Sequence, residues 1–123
     1  MGGAVPYAYL REQLVVEHGR PVAGRPTLYS IVRNERFFLE AFFRHYRSLG
    51  IAQFVILDDG SSDGSVDFLR AQPDCVLLSS GLTFGQHLRV HMPEGGVRTE
   101  RAGILFKRVI GETYCSGEYG LYV

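Results

Sequence analysis

At 123 residues and 46% apolar, the chain has the size and composition of one domain built around one core. Thirteen Lys and Arg residues cancel thirteen Asp and Glu, so no global field draws nucleic acid or an anionic membrane to the surface. Cys75 and Cys115 are too few and too far apart for paired zinc ligands or a disulfide framework, and read as reduced thiols of a cytoplasmic protein. No run approaches the roughly eighteen apolar residues of a membrane span, and Met1 to Pro6 lacks the basic region and apolar run of a secretory signal.

Residues 1–25 carry scattered Gly and Pro around a short apolar patch at Tyr9, Leu10, Leu14, Val15 and Val16. They predict a poorly defined leader with one short helix or strand. Thr27 to Val32 follows Pro26 and is rich in β-branched and aromatic residues, which predicts a first strand. Asn34 then offers a capping side chain, and Glu35 places a negative charge at the positive end of a helix dipole.

A helix is predicted from about Glu35 to Leu49, because Phe38, Phe42, Tyr46 and Leu49 recur at helical spacing and Leu39 and Phe43 widen the stripe. Gly50 is placed to end it in the left-handed conformation. Gln53 to Leu57 is nearly uninterrupted apolar sequence, as in a strand buried on both faces of a parallel sheet. It runs directly into Asp58-Asp59-Gly60-Ser61-Ser62-Asp63-Gly64. A short helix from Ser65 to about Ala71, limited by Pro73, and a third strand at Val76 to Leu78 follow.

Strand, helix, strand, helix, strand in this order predicts an α/β fold, a Rossmann-like arrangement of three to four mostly parallel strands with flanking helices. Ser79 to Gly96 reads as a long irregular loop, Arg98 to Tyr114 as a helix, and Glu118 to Val123 as a fourth strand.

In an open parallel sheet, ligands bind beyond the carboxyl ends of the strands. The residues there are Arg33, Asn34 and Glu35 after the first strand and Asp58 to Asp63 after the second. Two adjacent carboxylates entering a Gly/Ser turn repel each other unless a cation or hydrogen-bond donors accompany them. They can accept hydrogen bonds from a base N–H or a ribose hydroxyl. The other reading is an Asp-rich turn in which Asp63 or Ser62 caps the next helix and the remaining carboxylates are solvated.

A calcium loop fails because Arg70 stands where a bidentate Glu is required. The glycine fingerprint of dinucleotide sites and the Walker lysine are both missing. His87 and His91 could share a helical face, but no third ligand accompanies them and they read as a loop or surface pair. His45 lies beside the apolar stripe of the first predicted helix, as a packed or half-exposed residue.

With these residues in view, the chain resembles family 2 glycosyltransferases of the GT-A fold. The likeness rests on Ser30-Ile31-Val32-Arg33-Asn34-Glu35, on the helix ending His45-Tyr46-Arg47-Ser48-Leu49-Gly50, and on Val55-Ile56-Leu57-Asp58-Asp59-Gly60-Ser61-Ser62-Asp63-Gly64. It covers residues 26–123 and implies the N-terminal, nucleotide-binding half-domain of such an enzyme.

By that resemblance Asp58 or Asp59 would bind the base or ribose of a nucleotide-diphosphate sugar, with Val32 and Arg33 lining the same pocket. Asn34 and Glu35 would be either further ligands or only a helix cap. The family's metal-binding Asp-x-Asp motif is expected just after Val123, and its catalytic base later still. The resemblance therefore implies that Mn or Mg serves the full-length enzyme, that no catalytic or metal residue lies in these 123 residues, and that this stretch alone binds nucleotide weakly or not at all and transfers no sugar.

Overall fold

The computed structural model describes residues 3–115 and 120–123. In chain order the elements are β1 (Val5–Pro6), α1 (Tyr7–Glu12), β2 (Leu14–His18), β3 (Thr27–Val32), α2 (Arg36–Ser48), β4 (Gln53–Asp58) and α3 (Ser65–Arg70). They continue with β5 (Cys75–Ser80), β6 (His87–His91), β7 (Val97–Arg101), α4 (Ala102–Tyr114) and β8 (Gly120–Tyr122).

The main sheet has the order β2-β5-β4-β3-β8, and all its neighbours pair in parallel except β2, which runs antiparallel to β5. The chain is thus mixed α/β with a mostly parallel sheet. From β5 through β4 to β3 each strand precedes its neighbour in sequence, and β8 then adds on the far side of β3. That order is compatible with a Rossmann-like layout, in which the strand order reverses between β3 and β8.

Alternation along β4 explains the two-sided core. Phe54 and Ile56 face one side and pack with Leu39, Phe42 and Phe43 of α2 and Leu69 of α3. Val55 and Leu57 face the other and pack with Leu105, Phe106, Val109 and Ile110 of α4 and with Leu10 of α1. A strand buried on both faces has few polar positions to spare, which is why Phe54 to Leu57 is continuous apolar sequence, while the buried Gln53 at its start is hydrogen-bonded to Thr27.

The α2 stripe is centred on Leu39, Phe42 and Phe43. Phe38 is 40% exposed and Leu49 65% exposed, so they mark its margin. Phe43 stacks on Phe54 at 4.1 Å between ring centroids. Gly50 ends α2 at φ 98°. Its N–H donates to Arg47 O and that of Ile51 to Tyr46 O, the paired bonds that close a helix over a left-handed residue.

Three expectations change. The leader carries three elements, with β1 alongside β6 and β2 alongside β5. Val15 and Val16 are only half covered there because β2 is an edge strand. The stretch from Ser79 to Gly96 is not an irregular loop, since β5 runs to Ser80 and β6 pairs antiparallel with β7. Leu88 and Val90 turn inward while His87, Arg89 and His91 face out, so the period-two signal was carried by only two apolar residues.

The last change concerns Arg98 to Arg101, which belong to β7; the helix begins at Ala102. The fourth strand is present at Gly120–Tyr122, parallel to β3, while Glu118 and Tyr119 lie outside the described residues. Among the described residues no helix is long and apolar enough to cross a membrane.

Candidate functional site

The carboxyl ends of β3 and β4 lie side by side, Val32 opposite Asp58. The loops that leave them are fastened together. The Asn34 N–H donates to Ser61 Oγ at 2.8 Å, and Asn34 Oδ1 accepts the Ser62 N–H at 2.7 Å. This exchange requires Asn34 to sit in the left-handed region at φ 51°, where Asn is among the few non-glycine residues that fit without large strain.

Next along, the Glu35 N–H donates to Ser65 Oγ and the Arg36 N–H to Asp63 Oδ2 at 3.0 Å. The second oxygen of Asp63 accepts the N–H and the hydroxyl of Ser65, at 3.0 and 2.6 Å. One carboxylate therefore serves the first turns of both α2 and α3, where main-chain N–H groups lack helical partners. The bond from Ser65 and the main-chain donors hold the Asp63 carboxyl below its ordinary range.

This corrects the expectation for Asn34. The N-cap position of α2 is Glu35, which makes no side-chain cap bond. The capping acceptors come from the other loop, and Asn34 ties the loops together. Asp63 does serve α3, as one reading of the turn proposed.

Asp58 and Asp59 are arranged differently. Asp58 Oδ2 accepts the Ser61 N–H at 2.9 Å, while Asp58 Oδ1 is buried and has no hydrogen-bond partner among the described residues. A buried carboxylate oxygen without a donor is costly and rare, and it marks a place where a donor is wanted.

Asp59 is anchored by its own N–H, which donates to Val32 O at 2.8 Å. Its Oδ2 lies 3.8 Å from Arg33 Nη1, the Asp59 side chain being 11% exposed and that of Arg33 63%. Its Oδ1 accepts the N–H of Phe84 at 3.0 Å.

Phe84 belongs to the loop between β5 and β6. The space it shares with Asp58, Asp59, Ser80, Gly103 and Phe106 amounts to about 10 Å³, near the minimum for one water molecule. Gly103 is needed at this spot because a Cβ there would overlap the Phe84 ring. Nothing in the sequence pattern singled out Phe84 or Gly103; their meeting depends on how the β5–β6 loop folds back onto α4.

Arg33, Asp58 and Asp59 are thus brought together. Val32 and Glu35 are not in the same enclosure: they line a separate cavity of about 220 Å³ with Ser30, Phe38, Phe42 and Val123. The Val32 side chain, 5% exposed, belongs to the α2 core, and it reaches the carboxylate pair only through its carbonyl. This second cavity lies between β3, the first turns of α2 and Val123, which follows β8 at the edge where the strand order reverses. A further cavity of about 240 Å³, lined by Pro21 to Arg25 and Thr113 to Cys115, opens at the opposite, amino ends of the strands.

His87 and His91 are exposed on one face of β6. Four strand residues separate them by about 13 Å, too far to share an ion. His45 is exposed and lies edge-on to Tyr46. Among the described residues no group of three or more His, Cys, Asp or Glu side chains is placed to hold a metal ion. Burial pushes the Cys75 thiol up to about 12 and that of Cys115 to about 11, which leaves both un-ionised and weakly nucleophilic near neutrality.

Comparison with models of known families, with curated proteins and with solved structures found no match.

Proposed function

We propose that this chain is the nucleotide-binding part of a family 2-like glycosyltransferase of the GT-A fold, and that Asp58 and Asp59 receive the base or ribose of a nucleotide-diphosphate sugar. The observation that carries this reading is the orphaned Asp58 Oδ1 beside Asp59, at the carboxyl end of the central parallel strand. A carboxylate in that position accepts hydrogen bonds from base N–H or ribose O–H groups, each contributing on the order of 1.5–3 kcal/mol.

Arg33 supports the site from the exposed side. Its guanidinium balances the charge of Asp59 and remains largely solvent-facing, where it can turn to a phosphate. Val32 and Glu35 stand beside the order reversal and serve as the neighbouring wall for the rest of the donor.

In a complete transferase of this kind, Mn or Mg would neutralise charge on the leaving diphosphate. The described residues do not form a group able to hold that ion. What these residues can do is bind and orient the nucleoside end.

A second reading, a non-catalytic nucleotide-binding module, draws on the loop network, since Asn34, Ser61, Asp63 and Ser65 are all spent on architecture. Calorimetric titration with uridine and guanosine diphosphates tests the binding common to both. Weak, saturable binding is expected in the native chain and is expected to vanish in Asp59→Ala and weaken in Asp58→Ala. Binding that persists unchanged in both variants would overturn the assignment of the site. Because these 123 residues alone are expected to transfer no sugar, donor-dependent transfer by a longer form that carries the metal motif and base is what separates enzyme from module.

A further inference from the structure

The loop between β5 and β6 satisfies several groups at once. The Phe84 N–H donates to Asp59 Oδ1, and the Phe84 carbonyl accepts the N–H of Gly103 at 3.0 Å. Two residues later the Gln86 carbonyl accepts the N–H of Ala102 at 2.7 Å. The loop therefore occupies an acceptor of the carboxylate pair and caps the first turn of α4, which would otherwise present free N–H groups.

Its aromatic ring lies against Gly103 and, with Asp58 and Asp59, lines the small enclosure at the end of β4. The loop's other ties are the Gly81 N–H to Gln13 O, the Leu82 N–H to Ser80 Oγ at 2.9 Å, a turn bond from the Gln86 N–H to Thr83 O, and the Leu82 side chain against the core; beyond Leu82 the tip is open. Thr83 and Gly85 are exposed, Phe84 itself is only partly buried, and Gly81 and Gly85 flank the three residues Leu82 to Phe84. Glycines at both ends of a short loop leave its backbone free to change conformation.

We propose that Phe84 is a built-in competitor for the site: its main-chain N–H stands in for the N–H of a nucleobase on Asp59, and its ring fills the space that the planar base would take. This rests on the nucleotide reading above. The ligand then enters only when the loop swings away, and the apparent affinity is lowered by the fraction of molecules in which the loop is closed. Opening would release Asp59 Oδ1 together with the N–H groups of Ala102 and Gly103, so an acceptor for the base and donors for an anionic group become available in one movement.

Two variants open the loop by different routes. Phe84→Ala removes the ring. Gly103→Ala leaves the loop sequence intact, introduces a Cβ that overlaps the ring, and replaces a helical glycine by the better helix former.

The test measures uridine and guanosine diphosphate binding by calorimetry in the native chain and both variants, with backbone hydrogen exchange at Gly103 as a readout independent of ligand. If closed molecules outnumber open ones by about ten to one, both variants gain about tenfold in affinity, and Gly103 loses protection while the β3 and β4 amides keep theirs. Native binding that neither variant exceeds in tightness, with Gly103 exposed in both, overturns the competitor role and leaves the nucleotide reading standing. Absence of binding in all three proteins, with Gly103 exposed in the variants, overturns both.

Discussion

Two loop systems meet over the carboxyl ends of the sheet, and they are held in opposite ways. The loops after β3 and β4 are joined by side-chain acceptors, Asn34, Ser61, Asp63 and Ser65, each aimed at a main-chain N–H of the partner loop or of its own helix. The loop after β5 is held at its base by Ser80 Oγ and by Leu82 on the core, and at its tip by its own main-chain groups and one ring resting on a glycine.

The difference assigns work within the Asp58 to Asp63 run. Asp63 and Ser61 fasten the loops, and of this run only Asp58 and Asp59 line the neighbouring enclosure. A fixed wall on one side and a lightly held flap on the other is the arrangement that ligand-binding loops on rigid scaffolds commonly use.

The largest expected effect lies beneath the fixed wall. Phe43 is fully buried, stacked on Phe54 and edge-on to Phe68, and it joins α2 to both the sheet and α3. Phe43→Ala should cost about 3–5 kcal/mol, measured by urea unfolding. A loss below about 1 kcal/mol would mean that the wall is not anchored through this ring, and the contrast with the β5–β6 loop would weaken.

A smaller effect concerns Asp63 and pH. Its carboxyl is held below the ordinary range, because hydrogen bonds from Ser65 and the main chain favour the charged form. Its contribution is therefore fully present above the ordinary carboxylate value, about pH 4, and is lost as pH falls through the lowered one. Thermal unfolding of the native chain and of Asp63→Asn should show a constant gap at neutral pH that closes as acid is added. A gap that stays open through the acid range would contradict the double-capping role.

How much of this was legible beforehand follows from which atoms carry each feature. The strand at Gln53 announced itself because a strand covered on both faces is nearly all apolar, and the strand at Thr27 through its β-branched and aromatic residues after Pro26. Gly50 was readable because a helix ending in the left-handed conformation favours glycine. The carboxylate pair was readable because adjacent Asp residues at the end of such a strand have no packing purpose.

The β6–β7 hairpin was not readable, since one face is solvated and polar residues outnumber Leu88 and Val90. Nor was the exchange between loops: the role of Asn34 depends on Ser61 and Ser62 lying opposite it, a relation between β3 and β4 rather than a local pattern. Phe84 reaches Asp59 through a main-chain N–H, which any residue except proline possesses. Its identity matters only through the ring on Gly103, and those two residues are far apart in the chain.

The most direct test of the central claim is a two-dimensional NMR titration of the isotope-labelled chain with uridine diphosphate. The account predicts that the largest amide shifts fall on Asp58, Asp59, Phe84 and Gly103, while Asn34, Ser62 and Arg36 hold their positions. Shifts concentrated instead around Val32, Glu35 and Val123, or no saturable shifts at any amide, would contradict it.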